Sequence, residues 1–213
     1  MKKVILFVAG AALITGSMVS CGKSTKGKMD GEWTIDSYVS NSTSTSGGGT
    51  SSENVNATGA AVTITSTSGG STSTQTGTFS NATYTISKDG TWSNTMTVVF
   101  VETVFGTQYT TTQTQIASGT WDFLSGVGEF KKHERVVFNT LSSTSTQVDA
   151  VGGSSTTSTS SNTYAEGESS DVYLITESKG KSLILTSTEG NSSTSGSSTS
   201  SSTNSTTITL SQN

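Results

Sequence analysis

The chain lacks several residues that most proteins of its length contain. Its 213 residues include no proline, one cysteine and one histidine. A single cysteine has no partner for an internal disulfide, and a single histidine leaves a zinc site short of its usual ligands. Charged residues make up 12% of the chain and the formal net charge is −4. An acidic chain that is poor in charge has no basic face to neutralise phosphates, so the composition argues against nucleic acid as a partner.

Residues with hydroxyl side chains are unusually abundant instead. Ser and Thr together make up about two-fifths of the sequence, well above their usual share. Thr favours strands and Ser favours turns, whereas helix-forming residues are sparse. Beyond Cys21, no segment repeats apolar residues at the spacing of an amphipathic helix. The sequence therefore predicts an all-β protein.

One long apolar run stands at the N-terminus. Lys2 and Lys3 precede the apolar residues 4–14, and the length of this run is typical of the roughly 7–15-residue h-region of a secretory signal. The run is too short to cross a membrane, which takes about 20 apolar residues. Residues 1–20 are therefore predicted to be a signal peptide.

The tetrapeptide Met18-Val19-Ser20-Cys21 resembles the lipobox of bacterial lipoproteins. This resemblance implies that Cys21 is acylated, becomes the first residue of the mature chain and makes the membrane its partner. Two acyl chains, each CH₂ worth about 0.8 kcal/mol when buried, would anchor the protein stably. The alternative is an ordinary signal peptide that leaves Cys21 as a free thiol. Gly22 favours export to the outer membrane, on either face, and residues 21–30 are predicted to be a polar lipidated tether.

Short segments with alternating apolar residues predict about eight to ten strands after residue 30. Ala82, Tyr84 and Ile86 alternate before Asp89-Gly90, a pair that favours the type I′ turn of a hairpin. Residues 31–213 are expected to form a single antiparallel up-and-down barrel, with a β-sandwich as the alternative. The Ser/Thr-rich segments near residues 41–58, 142–162 and 190–205 are expected to be long loops or insertions.

Four segments resemble small lipocalin-like lipoproteins of the Bacteroidota. Residues 31–38 resemble the opening strand of that family, residues 84–92 its Asp-Gly-Thr-aromatic hairpin, residues 119–123 its Gly-x-Trp strand and residues 173–185 its closing pair. The resemblance implies a lipocalin-like barrel with an open mouth. Such a barrel would bind or carry a small hydrophobic ligand.

The sequence contains no recognisable catalytic motif. His133 stands in a charged segment, and no nucleophile elbow accompanies it. Glu166, Glu168 and Asp171 are close in sequence, but their spacing matches no calcium loop. We therefore predict no enzyme, no cofactor and no metal site. The residues predicted to line a pocket or the core are Trp33, Tyr84, Trp92, Phe100, Trp121, Phe123 and Tyr173.

Two functions remain open from the sequence. The first is an envelope lipoprotein whose barrel binds a small apolar molecule. The second is a surface interaction or adhesion protein, in which Ser/Thr-rich loops contact glycans or other cells and the barrel serves as a support.

Overall fold

The computed structural model describes residues 25–47, 49–125, 134–195 and 198–212. The predicted signal peptide, Cys21 and His133 lie outside these residues. The described part contains one short helix, α1 (Thr25–Met29), and eleven strands. The strands are β1 (Gly31–Ser46), β2 (Gly49–Thr58), β3 (Ala61–Ser68), β4 (Ser71–Ile86), β5 (Thr91–Val104), β6 (Thr107–Leu124), β7 (Arg135–Val151), β8 (Ser154–Thr163), β9 (Ser170–Lys179), β10 (Ser182–Ser195) and β11 (Ser198–Ser211).

The strands close into a barrel. Pairing is antiparallel throughout and runs from β6 back through β5, β4, β3, β2 and β1 to β11, β10, β9 and β7, and β7 pairs again with β6. This ring holds ten strands, with β8 outside it. The predicted all-β, up-and-down barrel is thus confirmed, and the closed ring excludes the alternative of a sandwich.

The barrel is narrower at one end than at the other. Gly31 to Thr34 of β1 pair directly with Thr83 to Ile86 of β4, so the β2–β3 hairpin does not separate these two strands there. Farther along, residues 37–46 of β1 pair with β2 instead. We call the end with the β1–β4 pairing the base, and the part that contains β2, β3 and β8 the distal half.

The hydrophobic core fills the base. Trp33, Ile86, Trp121 and Phe138 are buried there on the inner faces of four different strands. Helix α1 closes this end: Met29 is fully buried, and the indole Nε1 of Trp33 donates a hydrogen bond to the Met29 carbonyl over 2.8 Å. Residues 25–29, predicted to belong to a free tether, are therefore part of the domain. The composition of this segment does not indicate such packing, because Met29 is the one residue that the short helix buries.

The Ser/Thr-rich segments are strands, and their prediction as loops was wrong. Residues 37–46 pair with all of β2, the far part of β7 pairs with β8, and β10 and β11 stay paired out to Ser195 and Ser198. A β-ladder satisfies backbone groups without burying apolar side chains, and Thr fits a pleated surface well. The Thr- and Gln-rich residues 108–116 lie in the interior of the sheet, because β6 pairs with both β5 and β7. Among the described residues, no helix has the length and apolar character needed to cross a membrane.

Candidate functional site

Four aromatic rings form a floor across the barrel where the base meets the distal half. Tyr84 and Trp92 stack with centroids 5.6 Å apart and planes 13° apart. Phe138 meets Trp92 edge-on at 5.2 Å and Tyr173 edge-on at 6.0 Å. The indole Nε1 of Trp92 donates to the Asn139 carbonyl over 3.1 Å. These contacts hold the rings in fixed orientations, since edge-on and stacked pairs are the favoured aromatic geometries. We call Tyr84, Trp92, Phe138 and Tyr173 the aromatic floor.

A cavity of about 250 Å³ lies against this floor, on the distal side. Strand periodicity places its lining, because alternate residues of each strand point inward. On β5, Trp92, Asn94 and Met96 all face the cavity. The other residues that line it are Ile35, Tyr38, Tyr84, Gln115, Ala117, Thr140, Ser143, Tyr164, Ser169, Asp171, Tyr173 and Ile208.

A second cavity of about 310 Å³ adjoins the first and lies farther from the base. The two cavities share Tyr38, Met96 and Gln115 in their linings. The wall from β3 to β5 is apolar, whereas the wall from β6 consists of Gln113, Thr114 and Gln115. The apolar residues of this wall are Val62, Ile64, Phe79, Val98 and Phe100, and β2 adds Val55 and Glu53 to the lining. The interior of the distal half is therefore an open space with one apolar side and one polar side.

One carboxylate faces the first cavity without a partner. The carboxylate of Asp171 makes no hydrogen bond or ion pair with any other described residue, and the side chain lines the cavity while remaining accessible to solvent. Partial burial raises the pKa of this carboxyl, and the negative charge of Glu189 raises it further. Burial raises the pKa of the hydroxyls of Tyr84 and Tyr173 well above the usual value, and the charge of Asp171 adds to both shifts. These tyrosines are therefore neutral at physiological pH.

The connection between β8 and β9 completes the wall near Asp171. The backbone N–H of Thr140 donates to the Ser169 carbonyl over 2.8 Å, and that of Tyr164 donates to the Leu141 carbonyl over 2.9 Å. The hydroxyl of Thr120 donates to Glu166 over 3.0 Å. This segment thus binds back onto β7 after the end of β8. It brings Tyr164 and Ser169 to the cavity.

The structure divides the predicted pocket residues into two groups. Tyr84, Trp92 and Tyr173 line the first cavity, and Phe100 lines the second. The other three belong to the base: Trp33 and Trp121 are buried in the core, and Phe123 packs against it.

Sequence reasoning missed Tyr38, Asn94, Met96, Tyr164 and Asp171 as cavity residues. Asn94 and Met96 could have been found, because they continue the period of two that starts at Trp92. Tyr164 carried no signal, since it follows a run of Ser and Thr. The acids near Asp171 do not gather around it: Glu166 accepts from Thr120, and Glu168 accepts from the backbone of Ala165.

Within the described residues, no three potential ligands of the His, Cys, Asp and Glu type come close enough to hold a metal ion. Comparisons of the chain with protein-family models, curated proteins and solved structures gave no match. The class that the structure itself defines is a closed antiparallel β-barrel compatible with a lipocalin-like fold.

Proposed function

We propose that the protein is a membrane-anchored envelope lipoprotein whose barrel binds a small, largely apolar ligand. One observation carries this proposal: buried apolar side chains fill the base, yet the barrel opens into a cavity just beyond the aromatic floor. A barrel that served only as a support would need no such space.

The size of the space limits the ligand. Binding sites for small molecules occupy roughly 300–1,000 Å³ and are mostly apolar with a few polar groups. The two adjoining cavities measure about 250 and 310 Å³, so they suit a molecule at the small end of this range. The apolar wall formed by Val62, Ile64 and Phe100 would take the hydrophobic part of that molecule.

The proposed anchor fixes the orientation of the barrel. Helix α1 begins at Thr25, four residues after Cys21, and four extended residues span at most about 14 Å. A lipid on Cys21 would therefore hold the base against the membrane. The open distal half would then face away from the bilayer, where a ligand from the aqueous side could enter.

Filling the cavity tests the binding proposal. Ala117→Phe would place a ring in the first cavity, and Ile116→Phe would place one on the outer face of the same strand, where Ile116 is exposed. Native mass spectrometry of the gently extracted protein is expected to show a retained small molecule in the wild type and in Ile116→Phe. Ala117→Phe should lack it. Equal retention by both variants, or none in the wild type, would contradict the proposal.

Replacing the sulfur tests the anchor. Cys21→Ser removes the acceptor of the lipid and is expected to block lipidation and the processing that depends on it. Membrane fractionation and the mass of the N-terminal peptide report this change. Normal processing of Cys21→Ser, with the protein still in the membrane fraction, would rule out lipidation at this residue.

A second candidate function is favoured by the surface of β8. All ten residues of this strand, Ser154–Thr163, are exposed, and they consist of Ser, Thr and one Asn. Such a surface could carry sugars or contact glycans, as expected for an interaction protein. Glycan mass on peptides from residues 154–163, combined with an empty cavity, would favour this function over ligand binding.

A further inference from the structure

Charge is distributed unevenly along the barrel axis. Every described Lys and Arg lies in α1 or at the base ends of strands, and none lies in the distal half. These residues are Lys26, Lys28, Lys88, Arg135, Lys179 and Lys181. The charged residues described in the distal half are therefore all acids.

Three of these acids act on the interior. Asp171 lines the first cavity and Glu53 lines the second. Glu189 lies close enough to Asp171 for its charge to disfavour ionisation there. Neither cavity has a Lys or Arg in its lining. Clefts lined by one sign of charge concentrate ligands of the opposite sign, so the interior attracts cations and repels anions.

Aromatic rings line the same cavity as the carboxylate of Asp171. Asp171 and Tyr173 are two residues apart on β9 and both face inward, which places them about 7 Å apart along the strand. Tyr84 and Trp92 lie across the floor, and Tyr38 and Tyr164 lie in the walls. Ring faces attract cations, and aromatic cages are a recurrent way to bind quaternary ammonium groups.

We infer that the cavity binds an amphiphilic amine, with its ammonium group between Asp171 and the aromatic floor and its apolar part along the wall from β3 to β5. This inference rests on the proposed ligand-binding function and adds the chemical class of the ligand. It explains why Asp171 faces the cavity unpartnered among the described residues, since the ligand would supply the missing positive charge. A fatty acid or other anion would meet Asp171 and Glu189 instead.

Three probes of equal chain length test the inference: hexyltrimethylammonium, hexan-1-ol and hexanoate. The processed full-length protein in nonionic micelles would be titrated with each probe, and Trp92 fluorescence would report binding. Trp92 is the one tryptophan in the cavity lining, so Trp92→Phe identifies its signal. We expect the ammonium probe to bind about tenfold more tightly than the alcohol, a ratio set by a desolvated cation near rings, and hexanoate to bind more weakly than both.

Substitutions at the site provide the second arm. Asp171→Asn should lower affinity for the ammonium probe about tenfold and leave the alcohol unchanged. Asp122→Asn removes an exposed carboxylate outside the cavity and should change neither, which controls for net charge. Tyr173→Leu should reduce the preference for the ammonium probe, whereas Tyr173→Phe, which keeps the ring, should retain it.

The possible results distinguish an error in the ligand class from an error in the binding function. If the alcohol binds in a manner blocked by Ala117→Phe, but the ammonium probe binds no more tightly, the ligand class is wrong and the binding function stands. If Asp171→Asn leaves the preference for the ammonium probe intact, the assignment of Asp171 is overturned. If none of the probes binds to the wild type, and it retains no molecule after extraction, both the ligand class and the binding function fail.

Discussion

The base and the distal half of this barrel share most of their strands but are held together differently. In the base, inward side chains are large and apolar, and they fill the interior down to helix α1. In the distal half, the same strands continue with Ser and Thr, and the interior stays open. The comparison shows that a strand can extend well beyond its core when ladder hydrogen bonds and a neighbouring strand support its backbone.

The energetic consequence is a gradient of stability along the barrel axis. Buried apolar area is the main favourable term in folding, and it is concentrated around Phe138 in the base. The hydroxyl-rich strands contribute hydrogen bonds, each of small net value. The base is thus expected to supply most of the folding free energy. The distal half is expected to shape the cavity and to contribute little to stability. Substitutions in both halves test this division.

The largest contrast is expected between two phenylalanines. Phe138→Ala in the base should cost about 3–5 kcal/mol of unfolding free energy, because the ring is 1% exposed and contacts three other rings. Phe100→Ala should cost about half as much, because Phe100 already borders a cavity. Chemical denaturation measures both values. Equal losses would remove the proposed difference between the two halves.

Two glycines within strands are expected to differ in how much an alanine substitution lowers stability. A Cβ on Gly119 would overlap the backbone carbonyl oxygen of Asn139, which accepts the hydrogen bond of Trp92. Gly119→Ala should therefore cost about 1–3 kcal/mol, as overpacking does. Gly190 lies in the distal part of β10, where a Cβ meets nothing closer than 3.9 Å. Gly190→Ala should be neutral or slightly stabilising, and thermal unfolding of the two variants checks the difference.

A substitution in the turn between β5 and β6 is expected to stabilise the protein. Phe105 has a φ of 51° and is fully exposed, so its ring makes no contact that offsets the strain of a left-handed backbone. Asn tolerates this conformation and precedes Gly in favoured hairpin turns. Phe105→Asn should stabilise the protein by about 1 kcal/mol, while Phe105→Ala should leave stability almost unchanged. A loss of stability in Phe105→Asn would mean that the ring has a partner.

The smallest effect is expected at Asp171, and its sign depends on pH. Because the folded-state pKa lies above the unfolded value, ionisation of this carboxyl disfavours folding at neutral pH. The penalty fades as pH falls through the folded pKa and is absent below the unfolded one. Asp171→Asn should therefore raise the melting temperature slightly at pH 7 and leave it unchanged below about pH 3. A lower melting temperature at pH 7 would show that the carboxylate is stabilising and not held for a ligand.

Some features of the fold could be predicted because they depend on local patterns. Asp89-Gly90 lies in the turn between β4 and β5, as predicted, and Asp89 accepts from both the backbone and the hydroxyl of Thr91. The predicted turn type was wrong, because type I′ needs a positive φ at both central residues and only Gly90 of this pair has one, 88°. Tyr84, Ile86 and Trp92 face inward at the predicted period of two. The hydroxyl-rich segments could not be assigned in this way, because a run of Ser and Thr has no apolar side to show which residues face inward.

Local sequence patterns specify that this protein is all β, that its strands form hairpins and that aromatic residues build its core, because alternation and turn chemistry are local properties of a chain. The closed ring and its cavity depend on contacts between distant segments. Closure of the ring joined β1 to β11, which are far apart in sequence, and it set Asp171 beside Tyr84 and Trp92 around one cavity. No local pattern contains that arrangement, since it exists only after distant strands have paired.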